Sequence, residues 1–166
     1  MTDTTDAIDS AVNTGKAAWD IIKDGKPISS AKSSICNAIP KGAAPRELAG
    51  WKNKTGKWGF QAVNGFNSTV IDVELSYSFW SNGKLADKEG LFVNDFCVYA
   101  TKCDVEWTRN CAVNASVQGS PMNLGTHKKP ILSIMVLVTA TYGGFLDSMT
   151  KTWRVRACGD GKLIKR

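Results

Sequence analysis

Ile71-Asp-Val-Glu-Leu-Ser-Tyr-Ser-Phe79 alternates apolar and polar residues without a break. That period of two predicts a half-buried β-strand, with Ile71, Val73, Leu75, Tyr77 and Phe79 on one face. Asn82-Gly83 follows directly and gives a strong two-residue hairpin signal. Downstream, the same texture continues almost to the end of the chain. Leu91 to Ala100 is apolar on both faces, and Cys103, Val105 and Trp107 alternate with Asp104, Glu106 and Thr108. After a turn at Arg109-Asn110, Cys111, Val113, Ala115 and Val117 form the next strand. Gly119 to Lys129 reads as a loop and Pro130 to Tyr142 as a long strand. Gly143-Gly144 turns it, and Met149 to Ala157 returns with Trp153 and Val155 inward. The expectation is a mainly β fold, an antiparallel β-sandwich of about seven or more strands.

Upstream the texture differs. Ile8, Ala11, Val12, Gly15, Ala18, Trp19 and Ile22 recur at helical spacing, which predicts an amphipathic helix over Asp6 to Lys23. Asp3, Asp6 and Asp9 suit its positive end, and Gly25 and Pro27 suit its termination. The division is then 1–26 for the helix, 27–57 for a Ser-, Ala-, Pro- and Gly-rich connection, and 58–166 for the β region. The connection holds a short strand near Ile35 to Ile39. At 166 residues the whole fits one domain.

Composition bounds the function. The chain has 43% hydrophobic and 22% charged residues, as soluble globular proteins do. Its net charge of +6 is uneven: residues 1–30 sum to −2, 31–60 to +5, 61–100 to −3 and 101–166 to +6. Such asymmetry steers a protein toward acidic surfaces, or serves solubility alone. The start, Met1-Thr-Asp-Thr-Thr-Asp6, is acidic and polar, so no signal peptide is expected. No run approaches the length of a membrane helix. The default compartment is cytoplasmic, with a mature secreted chain as the alternative. Five Cys at 36, 97, 103, 111 and 158 leave at least one thiol without an internal partner. The three sequons at Asn53, Asn67 and Asn114 have meaning only in a secretory pathway.

Enzyme motifs are nearly absent. GxSxG, P-loop and GxGxxG patterns do not occur, and His127, the only histidine, sits in a polar loop beside two Lys. Asp72 with Glu74, and Asp104 with Glu106, are same-face carboxylate pairs of the kind that solvated strands also carry. We therefore expect no enzyme, no cofactor and no metal site. The segment Trp51-Lys-Asn-Lys-Thr-Gly-Lys-Trp58-Gly-Phe60 interleaves aromatics with lysines. Trp51, Lys52, Lys54, Lys57, Trp58 and Phe60 are the candidate contacts to a lipid or glycan surface. The alternative is a strand–turn–strand, turning at Thr55-Gly56, that sends both Trp into the core. No motif supports nucleic acid.

The order of elements resembles the actinoporins of sea anemones in outline. The features that carry the resemblance are the helix from Asp6 to Lys23, the basic balance and the six Trp. Actinoporins are basic β-sandwiches of similar length whose N-terminal amphipathic helix detaches and forms a pore. The resemblance implies a membrane-active protein in which Ile8, Val12, Trp19 and Ile22 form the inserting face. It is one of layout, and no headgroup-binding residue is carried over. The leading expectation is thus a non-enzymatic membrane-active, pore-forming or lipid-binding protein. The alternatives are a soluble carbohydrate- or ligand-binding module and a self-assembling structural protein, with homo-oligomers possible under the first and last.

Overall fold

The computed structural model describes residues 11–28, 35–144 and 146–166. Twelve strands fill them: β1 Ala11–Val12, β2 Ala18–Lys23, β3 Lys26–Pro27, β4 Cys36–Pro40, β5 Lys52–Val63, β6 Thr69–Gly83, β7 Phe92–Val105, β8 Asn110–Val117, β9 Met122–Asn123, β10 Leu132–Gly143, β11 Ser148–Cys158 and β12 Leu163–Lys165. A 3-10 turn at Pro45–Glu47 is the one helical element among the described residues. The strands pair antiparallel in two sheets. One has the order β1-β4-β7-β6-β5, and the other β12-β11-β10-β8-β2-β3 with β9 beside β10. Leu91 and Ile131, just before β7 and β10, form an isolated parallel bridge between the two sheets.

The alternation from Ile71 to Phe79 works as expected. Ile71, Val73, Leu75 and Phe79 are buried, while Asp72 and Glu74 stay at least partly in water. Both sheets supply side chains to one apolar cluster, Phe79, Phe96 and Val98 from the first and Trp19, Val113, Val136 and Val155 from the second. Trp19 also donates its Nε1–H to the Val98 carbonyl at 3.1 Å, tying β2 to β7 across the core.

The expected N-terminal helix is not found among the described residues. Val12 lies in β1, Trp19 and Ile22 lie in β2, and Ile8 lies outside the described residues. Two local causes override the helical spacing. Asn13 accepts the Gly15 amide at 3.0 Å and so bends the chain at the middle of the expected helix. A Cβ at Gly15 would lie 2.3 Å from the Ile35 carbonyl oxygen, so this glycine serves a close backbone approach. Beyond it, β2 slips register between Asp20 and Ile22, and Ile21 and Ile22 are both buried. That bulge disguises a strand as a 3.6-residue stripe. Asp24 and Gly25, with φ of 52° and 74°, are a two-residue hairpin turn rather than a helix stop.

Other turns differ too. Asn82-Gly83 does not reverse the chain: β6 runs through it, and Asn82, at φ 64°, donates its amide to the Gly159 carbonyl at 2.7 Å. The pair instead makes an irregularity where the Trp51 ring lies over Gly83, so that a Cβ there would sit 2.3 Å from that ring. Thr55-Gly56 is no turn either, but the interior of β5. The expected strands ending at Ala100 and starting at Cys103 are one strand, β7, and Trp107 lies beyond its end. Within the expected loop 119–129, Met122 and Asn123 pair with β10. The short strand near Ile35 to Ile39 is present as β4.

Candidate functional site

From Lys52 onward the aromatic–lysine segment is an edge strand, β5, not a loop. Trp51 precedes β5, half-buried, with its Nε1–H on the Pro45 carbonyl at 3.3 Å. Phe60 is buried, 5.0 Å from the Tyr142 ring and 5.6 Å from that of Trp153. Trp58 is half-buried, 6.1 Å from Trp153 and 6.4 Å from Tyr77, and the Lys165 ammonium lies 5.8 Å from its ring centre. So the Trp rings enter packing, while Lys52, Lys54 and Lys57 remain in water. Lys57 meets Glu74 at 3.5 Å on the outer side of the sheet.

The paired carboxylates do come together. Asp72 and Asp104 stand opposite one another in the β6–β7 ladder. Lys102 neutralises them, with Nζ 2.7 Å from Asp72 and 3.9 Å from Asp104. That hydrogen bond holds the Asp72 carboxyl below its ordinary range. The Thr101 hydroxyl, donating at 2.8 Å, does the same for Glu74. Carboxylates held ionised in this way are poor proton donors at neutral pH. Among the described residues no group of three or more His, Cys, Asp or Glu is placed to hold a metal ion. His127 is exposed in the loop between β9 and β10. All five cysteines are free thiols, and Cys36, Cys97, Cys111 and Cys158 are buried.

A second region escaped the sequence reading. Four turns gather at one end of the molecule, as the registers require. β5 ends and β6 begins at Val63↔Thr69, β7 ends at Val105 opposite Ile71, β8 starts at Asn110 opposite Gly143, and Gly143 pairs with Ser148. The β2–β3 turn joins them, with Gly25 bonded to the Cys111 carbonyl. Three of these turns each raise one large apolar side chain into water: Phe66 is 91% exposed, Trp107 90% and Leu146 101%.

The turns are built so that the tips point away. Asn64 accepts the amides of Phe66 and Ser68 at 2.9 and 3.1 Å, folding the β5–β6 turn around its own side chain. Arg109 donates its amide to the Glu106 carbonyl at 2.8 Å, closing the turn that carries Trp107. Gly144 donates to Asp147 to close the third. Arg109 lies between the Trp107 and Leu146 tips, 3.8 Å from Asp147, beside a cleft of about 410 Å³. Counted with their flanking strand ends, the turns balance in charge, with Lys23, Lys26 and Arg109 against Asp24, Glu106 and Asp147. The sequence signal was a lone large apolar residue inside each short run of turn formers, as in Asn64-Gly-Phe66-Asn-Ser68.

Trp51 and Phe66 flank opposite ends of β5, whose 12 residues span roughly 40 Å. No family model, no curated protein and no solved structure matches this chain.

Proposed function

We propose that this protein is a non-enzymatic, peripheral membrane-binding β-sandwich that docks on lipid through its end of apolar turns. The observation that carries this reading is the near-complete exposure of Phe66, Trp107 and Leu146 on three neighbouring turns. Single exposed apolar residues are ordinary on any surface, but a convergent set at one end is the mark of an interaction site. Trp suits the membrane interface, with an apolar body and a polar tip. The even charge of the turns favours a zwitterionic surface over an anionic one. Two sheets sharing one core would give these turns a rigid base, as the loops at the end of a sandwich have.

This reading differs from the helix-insertion mechanism. Residues 11–23 contribute β1, β2 and buried core side chains, so they are not a detachable amphipathic helix. No helix among the described residues is long and apolar enough to cross a membrane.

Co-sedimentation with phosphatidylcholine vesicles tests the proposal. Burying a large apolar side chain contributes roughly 1.5–3 kcal/mol. The combined variant Phe66→Ser, Trp107→Ser, Leu146→Ser should therefore lose binding by at least tenfold while unfolding at the same denaturant concentration. A wild-type protein that stays in the supernatant with neutral and anionic vesicles alike would sink it.

A further inference from the structure

Among the described residues β5 is hydrogen-bonded to one neighbour. Its 12 residues pair with β6, and the opposite edge meets no strand among the described residues. An open edge of that length is a template for another extended chain. Its surroundings are basic. Lys52 and Lys54 stand opposite Ser81 and Phe79, on the side of the sheet that Trp58 and Phe60 also occupy. Near Trp58 come Lys165, over its ring, and Lys151, which lines a cleft of about 610 Å³ with Trp58, Phe60 and the carboxylates of Asp72 and Glu74, the latter two engaged by Lys102 and Lys57. None of Lys52, Lys54, Lys151 and Lys165 forms an ion pair among the described residues. The Trp58 Nε1–H is buried and has no acceptor among those residues either. A buried donor without an acceptor is costly, and it is what a ligand oxygen would satisfy.

We infer that the free edge of β5 accepts an acidic, extended peptide segment. The segment adds as a sixth strand to the five-stranded sheet, and its carboxylates meet the unpaired lysines on either side. Backbone hydrogen bonds along the edge supply affinity, and charge selects the partner. A second copy of this chain is the wrong occupant. β5 carries three lysines and no acidic residue, so two β5 edges laid together would offer those lysines no carboxylate. A sugar is also disfavoured, because Lys165 and Trp153 already occupy the surroundings of the Trp58 ring. This inference concerns a different surface from the lipid-docking turns and stands or falls without them.

The test uses the full chain and three labelled ten-residue peptides of alternating Val with Glu, Gln or Lys. Binding is read by fluorescence anisotropy, and its position by amide hydrogen exchange. The Glu peptide should bind at least tenfold more tightly than the Gln peptide, weaken with added salt and slow exchange along β5. The double variant Lys52→Glu, Lys54→Glu should reverse the preference toward the Lys peptide. Trp58→Phe, which keeps a ring but removes the donor, should weaken binding severalfold. Equal binding of all three peptides, no binding of any, or binding with unchanged β5 exchange would each overturn the inference. So would a dimer in sedimentation velocity that the lysine substitutions alter, since the edge would then belong to a second copy.

Discussion

Burial and not partnership sets the chemistry of the thiols. Cys97 and Cys111 are pushed up to about 12, chiefly by desolvation, and burial raises Cys36 further still. The folded protein thus keeps these groups as thiols where the unfolded chain would ionise them. Such a group stabilises the fold fully below its ordinary pKa near 9, and that contribution fades as the pH rises toward 12. We expect the denaturant midpoint to fall between pH 8 and pH 10.5, and to fall less in Cys97→Ala and Cys111→Ala. In the native state at pH 8, a charged alkylating reagent should label half-buried Cys103 first. All five should react in denaturant, which mass spectrometry counts directly. Asp72 behaves in the opposite sense. Its carboxyl is depressed first by the hydrogen bond from Lys102 and then by Gln61, so its contribution is present above the ordinary carboxylate range and is lost as acid titrates through its lowered value. Lys102→Met should move the Asp72 titration upward in an NMR pH series. Gly56 has little room: a Cβ there would sit 2.2 Å from the Tyr77 hydroxyl oxygen. Gly56→Val should displace that ring and destabilise the β5–β6 pair.

At the scale of elements, β2 does more than its six residues suggest. Trp19, Ile21 and Ile22 are all buried, and the Trp19 donor spans to β7. Trp19→Ala should cost about 3–5 kcal/mol, the range for a large aromatic removed from a core, read as a lowered midpoint in urea. Removal of residues 1–24 should abolish cooperative unfolding altogether, where a detachable helix would leave the β region intact. This element was also the hardest to read. Where one face is buried and the other wet, as from Ile71 to Phe79, alternation alone identifies the strand. Where a bulge puts Ile21 and Ile22 both inside, the period of two is lost and a helical stripe takes its place. Dipeptides misled for a related reason. Asp24-Gly25 and Asn82-Gly83 both supply positive φ, but whether that makes a hairpin or an irregularity within a strand depends on what packs against it. At Gly83 it was the Trp51 ring. The apolar turn tips were missed because Trp107 continues the alternation of Cys103 and Val105 for one step after the strand has ended. Lys52, Lys54 and Trp58 were picked out together, but Lys151, Trp153 and Lys165, which complete their surroundings, lie some hundred residues away in sequence.

Over the whole molecule, the two proposed surfaces differ in physical character, and salt separates them. Docking by apolar tips should change little between 0.05 and 0.5 M salt, whereas capture of an acidic strand by unpaired lysines should weaken steeply as screening shortens. Vesicle and peptide titrations on one preparation measure both. The turns, moreover, sit at one end of the long strands, whereas the β5 edge runs along the side, so occupation of one should leave the other open. The pairing of β2 has a consequence for how the chain is made. β1 pairs with β4, some thirty residues on, whereas β2 pairs with β8, at Asn110–Val117. During synthesis the first strand can dock early, but the second has only the two-residue β3 beside it until Val117 has left the ribosome. Through all that interval Trp19, Ile21 and Ile22 stay uncovered on the nascent chain, so this short early segment is where a holding chaperone has most to protect.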